Sequence, residues 1–401
     1  MKMVISIFCL RMKLLINILP LRAIAIVIHF VGTNWVDKLM PPVIIGPTVA
    51  LIGLSLAGSA MGDIVRANSS VTYSSYNLVS LLCGLVAFFV IIICSTQKKY
   101  KMARLIPFIL GIIAGYGVAA IFTVIGMATN IDYLMIINFQ PVIDNFFLAD
   151  GTFKGVSAFF SFPQFAAFKA IGEILSGELS PEILLANENA QILNAGGIAE
   201  VVIAFLPVAL VVFAEHIADH KNLSYIIGHD LIKEPGLKRT LLGDGVGSIA
   251  GTIFGICPNT TYGESVGCVA ITKNASIVTI TTTAVMCIVL SFISPVMAVL
   301  QTIPSCVMGG VCLTLYGFIA VSGLKMFKNL DLDDNKNLFV VASILISGIG
   351  GLSIQIPYAI ADTGEITNTI QITSIATALI IGIVTNAILT NVEKSKLGKG
   401  E

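Results

Sequence analysis

The chain has 401 residues, of which 56% are hydrophobic and 11% are charged, and its formal net charge is zero. Soluble domains carry about 25% charged residues, so this composition excludes an ordinary soluble domain. The absence of net charge gives no indication of a nucleic-acid partner. The eight cysteines include no CxxC pair, which argues against a disulfide framework or a thiolate metal site.

Apolar runs long enough to cross a hydrocarbon core of about 30 Å recur along the whole chain. They predict an all-α polytopic membrane protein with about eleven crossings. The crossings are expected near residues 13–32, 41–62, 76–96, 105–127, 197–220, 240–256, 257–273, 277–299, 303–325, 337–356 and 370–391.

Basic residues test this order of crossings, because loops on the cytoplasmic side carry an excess of Lys and Arg. Clusters follow odd-numbered crossings at 98–104, 221–239, 325–336 and 394–399. The tail at 393–401 is therefore predicted to be cytoplasmic. The long segment 128–195 is predicted to lie outside the membrane, on the extracellular or periplasmic side.

The second and ninth crossings begin alike, with PPVIIG at 41–46 and PSCVMG at 304–309. They lie an odd number of crossings apart, so they have opposite orientations, as in the inverted repeats of transporters. If the repeat has a period of seven crossings, crossings one to four correspond to crossings eight to eleven. This period predicts a seven-plus-seven fold of fourteen crossings, of which three would precede residue 1. The first crossing, with Pro20 and Arg22, is atypical.

A polar cluster, EHIADH, ends the fifth crossing at 215–220. The apolar run before it is too short to span a bilayer alone, which places part of the cluster at membrane depth. Glu215 and Asp219 are four residues apart and share a helix face. A cytoplasmic helix end is the alternative. His216 and His220 also share a face, but the H-E-x-x-H order of a zinc helix is absent, and we predict no metal site.

Glycines recur at every fourth position of the sixth crossing, at 243, 247, 251 and 255. Small residues at this spacing predict a face for close helix packing. A nucleotide-binding interpretation of GDGVG is disfavoured, because no strand precedes it in a βαβ unit.

The stretch CPNTTYG at 257–263 interrupts the next crossing. Thr240 and Lys273 both lie at basic, cytoplasmic ends, so the chain must cross twice between them with too few residues for two full helices. We predict an extended strand over 257–263, with Pro258 and Asn259 as structural residues, and then a half-helix from about Glu264. Such a helix start at membrane depth presents free amides to a binding site. An ordinary external loop is the alternative.

Glu264 stands at this predicted helix start. A carboxylate in the bilayer is costly, so it predicts a substrate-binding or proton-binding role. A helix-capping acid that faces water is the alternative. Tyr316 in the ninth crossing is interpreted either as a site wall or as a core residue.

Five segments resemble the nucleobase/ascorbate transporter family, and most of all its uracil-type members. They are GTNWVDKLMPPVIIGP (32–47), FAEHIADH (213–220), GHDLIKEPGLKRTLLGDG (228–245), PNTTYGESVGCVAITK (258–273) and IPSCVMGGVCLTLYG (303–317). The family signature is present from Glu264 to Lys273, except that Ser265 stands where the family has Asn. The resemblance implies a core and a gate domain, with 1–32 and 196–299 in the core, and 33–127 and 300–392 in the gate.

The resemblance also implies site roles. Glu215 and Glu264 would hydrogen-bond uracil, the backbone N–H of Gly263 would contact it, and Tyr262 and Tyr316 would line the pocket. Proton coupling would involve Glu264, Glu215 and Asp219; the last position holds His in some relatives. No cofactor is expected beyond H⁺, with Na⁺ left open, and a homodimer is left open too.

The expected protein is thus a proton-coupled uracil transporter of the bacterial cytoplasmic membrane, not an enzyme. The alternatives are a purine (xanthine or urate) permease, an anion transporter of the same fold, a membrane metalloenzyme and a non-transporting remnant. In the family, the three crossings missing before residue 1 supply the strand that pairs with 257–263. A separate hypothesis is therefore that the chain is truncated and transports poorly or not at all.

Overall fold

The structure is a computed structural model that describes residues 39–66, 76–148, 150–162, 195–254, 261–360 and 366–397. Its described residues fall into two compact units. The first lies within Met1–Ile52, Gln164–Gly263 and Ala320–Glu401, and the second within Gly53–Pro163 and Glu264–Ile319. The partition into core and gate segments stays a prediction.

Helices account for most of the described residues. In chain order they are α1 (Pro42–Val65), α2 (Leu78–Thr96), α3 (Lys101–Leu105), α4 (Pro107–Thr129), α5 (Gln140–Phe146), α6 (Ala195–Ile227), α7 (Leu237–Ile253), α8 (Gly263–Thr272), α9 (Ile277–Ser291), α10 (Ser294–Gln301), α11 (Ser305–Lys325), α12 (Asn335–Ile349) and α13 (Ser374–Leu397). Two strands, β1 (Ile354–Ile360) and β2 (Ile366–Ile372), lie between α12 and α13.

Among the described residues, five helices are long and apolar enough to cross a membrane. They are Pro42–Val65, Leu78–Thr96, Pro107–Thr129, Ser305–Lys328 and Ser374–Glu393. These confirm the prediction of a largely helical, multi-pass membrane protein. The inverted repeat stays a prediction, and the first crossing, at 13–32, lies outside the described residues.

Local sequence explains where several helices begin and end. Asn77 caps α2, because its side-chain oxygen accepts from the amides of Val79 at 2.8 Å and Ser80 at 3.0 Å. Pro107 opens α4, where its missing N–H costs nothing. Asn130 ends the same helix in the left-handed conformation, which Asn tolerates better than most residues.

The start of α2 is also tied to the turn that follows α4. The Asn77 side-chain amide donates to the Tyr133 carbonyl at 3.0 Å, and the Leu78 amide donates to the Tyr133 hydroxyl at 2.8 Å. These hydrogen bonds join residues 55 and 56 positions apart in the sequence.

Glycines let three helices of the second unit approach closely. A Cβ on Gly115 of α4 would lie 3.0 Å from the Cys83 carbonyl of α2. A Cβ on Gly310 of α11 would lie 2.1 Å from the Gly84 carbonyl of α2. Backbones can come this near only where no side chain intervenes, as in other small-residue helix contacts. Around these contacts lies a buried apolar cluster that includes Cys83, Cys306 and Val307.

In the first unit, α12 and α13 pack through a glycine. A Cβ on Gly382 would lie 2.4 Å from the Ile344 side chain. Between the two helices, β1 and β2 form an antiparallel hairpin with Ile354 opposite Ile372 and Ile356 opposite Ile370. The sequence prediction missed these two strands within a largely helical chain, and the crossing predicted at 337–356 stops as a helix at Ile349.

The crossing predicted at 277–299 is also corrected, because the structure divides it into α9 and α10. The first helix ends at Ser291, and Pro295 occupies the first turn of the second. Proline lacks an N–H and clashes with the preceding turn, so it favours a helix start over a helix interior.

Candidate functional site

The polar cluster of the fifth predicted crossing lies inside a helix, not at its end. α6 continues to Ile227, beyond the predicted limit of 220. Two of the cluster's ionisable side chains are buried, His216 with 1% of its surface exposed and Asp219 with 8%. Glu215 is half-buried. Buried ionisable groups of this kind are rare and need polar partners.

Both ring nitrogens of His216 have partners on α7. Nδ1 lies 3.3 Å from Oδ2 of Asp244, and Nε2 lies 3.0 Å from Oγ1 of Thr240. The Thr240 hydroxyl also lies 3.0 Å from the Leu237 carbonyl, to which it can donate. These contacts hold α6 and α7 together through polar groups.

His220 extends the same network along α6. Its ring stacks on that of His216 with a centroid distance of 4.1 Å, and its Nδ1 donates to the His216 carbonyl at 2.8 Å. The Ser224 hydroxyl donates to the His220 carbonyl at 2.6 Å and accepts from the Leu231 amide at 2.9 Å. The network thereby reaches the turn between α6 and α7.

Asp219 meets the chain where it enters α8. The Thr261 hydroxyl donates to Oδ2 of Asp219 at 2.9 Å. Gly263, the first residue of α8, packs so closely that an added Cβ would lie 2.9 Å from Oδ1. A carboxylate at the start of a helix interacts favourably with its dipole. The contact joins the two segments that the sequence singled out, at Asp219 and at Gly263.

The half-helix prediction is confirmed, because α8 begins at Gly263, one residue before the expected start at Glu264. Tyr262 precedes it and is 65% exposed. The strand predicted over 257–263 falls largely on 257–260, which lie outside the described residues, as do Gly255, Pro258 and Asn259.

Glu264 and Tyr316 belong to the second unit, where Glu264 is the second residue of α8 and Tyr316 is half-buried in α11. Glu215, Asp219, Tyr262 and Gly263 belong to the first unit. Of the predicted site residues, the structure therefore brings Asp219 and Gly263 together within one unit.

The glycine face of α7 stays a prediction. A Cβ on Gly243 would meet no atom within 4 Å in the described part of the chain. Gly247 and Gly251 are half-buried. Within the same described part, no three His, Cys, Asp or Glu side chains are grouped to hold a metal ion.

Comparison with known proteins places this chain in a family. The chain matches the Permease family over residues 13–357. It is 33% identical to the uracil permease of Bacillus subtilis (strain 168) over 381 residues, which cover 94% of this chain and 75% of that protein. The chain belongs to the nucleobase/ascorbate permease family.

Two further relatives of this permease support the same family assignment. The uracil permease of Bacillus caldolyticus is 32% identical over 368 residues, covering 91% of this chain and 71% of that protein. The uracil permease of Escherichia coli (strain K12) is 30% identical over 364 residues, covering 90% and 69%. The relatives are transporters and not enzymes, and with the apolar helices they make this chain a multi-pass protein of the bacterial inner membrane.

Sequence reasoning missed the partners of His216 in this permease. The sequence analysis considered His216 only together with His220, as a possible pair of metal ligands. Its contacts in the structure are Asp244 and Thr240 on the next helix. The signal was present, because Thr240 and Asp244 are four residues apart and so share a helix face, as His216 and His220 do.

The contact between Asp219 and Gly263 predicts that adding one methyl group at Gly263 has a large effect on uptake. Gly263→Ala should reduce nucleobase uptake by about tenfold or more, because the new Cβ would displace the Asp219 carboxylate from the start of α8. Uptake by cells with matched amounts of inserted protein would measure it. Gly58→Ala is the control, since its Cβ would meet no described atom within 4 Å. Equal uptake by both variants would contradict the role of the contact.

Proposed function

We propose that this permease takes up uracil across the cytoplasmic membrane together with protons. One observation carries the choice of uracil: relatives that match more than nine-tenths of the chain at 32–33% identity are named uracil permeases. The PNTTYGE form of the broken segment, at 258–264, is the one that resembles uracil-type members and supports the same substrate.

The chemistry of uracil suits the proposed site. Uracil has two N–H donors and two carbonyl acceptors. Carboxylates of Glu215 and Glu264 would accept from the donors, and the backbone N–H of Gly263 at the start of α8 would donate to a carbonyl. Tyr262 and Tyr316 would line the pocket.

Proton coupling is proposed for Glu264, Glu215 and Asp219. Ionisable residues at membrane depth commonly belong to proton pathways, because holding a charge there is costly. Asp219 supports this choice, since its buried carboxylate lies on an apolar helix against Gly263. A change in its charge would act directly on the start of α8, so proton and substrate would bind at neighbouring positions.

Transport would proceed by rocking of the core against the gate, with the C-terminus in the cytoplasm, as the inverted repeat and the distribution of lysines suggest. The protein would need no cofactor. The coupling ion would be H⁺. A homodimer is compatible with the proposal and is not required by it.

Radiolabelled uracil uptake tests the proposal in bacteria that lack their own uracil permease and express this chain. We expect uptake that falls to background when a protonophore collapses the proton gradient. Excess unlabelled uracil should compete, and excess xanthine should not.

Insertion of the protein into the membrane would be confirmed in the same cells. Uptake that xanthine inhibits and uracil does not would replace uracil by a purine. Uptake that follows a Na⁺ gradient and ignores the protonophore would contradict proton coupling. No uracil uptake by inserted protein would contradict the proposed function and would favour the alternative of a non-transporting remnant.

A further inference from the structure

One polar network has no part in the proposed function. His216 is almost fully buried between α6 and α7, and its two ring nitrogens lie against Asp244 and Thr240. The imidazole directly follows Glu215 in the chain and lies one helical turn before Asp219. It is therefore flanked by two of the proposed site carboxylates but faces α7.

Two arrangements of the protons satisfy the hydrogen bonds around His216. The Thr240 hydroxyl has one proton, which it can donate either to the Leu237 carbonyl or to Nε2 of His216. In the first case Nε2 must carry a proton, and the ring is an imidazolium. In the second case Nε2 accepts, and the ring is neutral. In both cases Nδ1 can donate to the Asp244 carboxylate, so only the direction of the Thr240 bond differs between them.

The contact of His216 Nδ1 with Asp244 restrains how α6 is rotated against α7. A helix turns as a rigid body over a few residues, so a fixed direction for His216 also fixes the directions of Glu215 and Asp219. Asp219 in turn contacts Gly263 at the start of α8. A small rotation of α6 would therefore misplace both carboxylates, and groups that bind a ligand lose much affinity when displaced by about 1 Å.

We propose that His216 is a positioning residue of the uracil site, and that it acts through its Nδ1–H bond to Asp244. The inference rests on the proposed function. It assigns no contact with substrate to His216. The hydrogen bond between Nε2 and Thr240 matters less for this role, because the Thr240 hydroxyl can act either as its donor or as its acceptor.

Two amide substitutions separate the two bonds. The amide nitrogen of Asn can replace Nδ1, so His216→Asn can keep the donor to Asp244. The longer side chain of Gln places its amide near the position that Nε2 of His216 occupies, so His216→Gln can keep only the contact with Thr240. His216→Ala removes both bonds, and Thr240→Val removes only the second.

The measurement is KM and Vmax of uracil uptake, each normalised to the amount of protein in the membrane. We expect KM to rise about tenfold or more in His216→Ala and His216→Gln, and to stay within about threefold of the original in His216→Asn and Thr240→Val. Rescue by Asn and not by Gln would distinguish positioning from simple packing, because both side chains fill the space.

The inference is overturned if His216→Ala keeps its KM, if Gln rescues better than Asn, or if Thr240→Val is as damaging as His216→Ala. Should His216→Ala fail to accumulate, the Asn and Gln variants decide alone. Uptake by the unaltered chain separates the two proposals. If the unaltered chain takes up uracil and the His216 variants keep its KM, only the positioning role is contradicted. If the unaltered chain takes up no uracil, the proposed function is contradicted.

Discussion

Replacing Glu264 by Gln should reduce uracil uptake by about 3- to 10-fold. The substitution keeps the size of the side chain but replaces the carboxylate, whose hydrogen bonds to a ligand N–H are about twice as strong as neutral ones. Hydrogen bonds to charged groups contribute about 1.5–3 kcal/mol, and losing about half of this corresponds to a loss of about 3- to 10-fold. Initial rates of labelled uracil uptake at matched membrane abundance would measure it.

A second glutamate provides the control for this experiment. Glu393 on α13 is exposed and lies 2.9 Å from Lys336, an ion pair at a solvent-accessible site that contributes little. Glu393→Gln should therefore leave uptake unchanged. Uptake by Glu264→Gln equal to that of Glu393→Gln would remove Glu264 from the proposed site.

Replacing Gly310 by Ala should destabilise the protein strongly. The new Cβ would lie 2.1 Å from the Gly84 carbonyl oxygen and 2.9 Å from its carbon, both of them backbone atoms that no rotamer change can move. The two helices would have to separate, and overpacking of this kind costs about 1–3 kcal/mol or more. We expect a lower melting temperature of the detergent-solubilised protein, together with reduced accumulation in the membrane.

Gly317 on the same helix is the matched control. A Cβ at this position would meet no described atom within 4 Å, and Ala favours a helix over Gly. Gly317→Ala should therefore melt at the original temperature or slightly above it. Equal melting temperatures for the two variants would show that the close approach of α2 and α11 is not needed for stability.

The start of the half-helix at Gly263 could be predicted from the sequence because it follows from length alone. Too few residues separate Thr240 from Lys273 for two complete crossings, so one of them had to be shortened. The same reasoning found the long apolar helices such as Pro42–Val65 and Pro107–Thr129, whose composition leaves little choice in a membrane.

Other features depend on contacts that no periodicity reveals. The partnership of His216 with Asp244 joins residues 28 positions apart, and it depends on how each helix is rotated. The two strands were missed because the apolar runs beside them were interpreted as crossings, and Pro357 inside β1 gives no indication of a strand. The hairpin's register shifts between Pro357 and Ala359 allow that proline to be accommodated.

The cap on α2 affects more than the position where that helix begins. Helix ends usually fray on the nanosecond to microsecond scale, because their first amides lack partners. Here the amides of Leu78, Val79 and Ser80 are held by the side chains of Tyr133 and Asn77. Opening of the first turn of α2 would therefore break hydrogen bonds to the turn after α4, so we expect slow amide exchange at this end of α2.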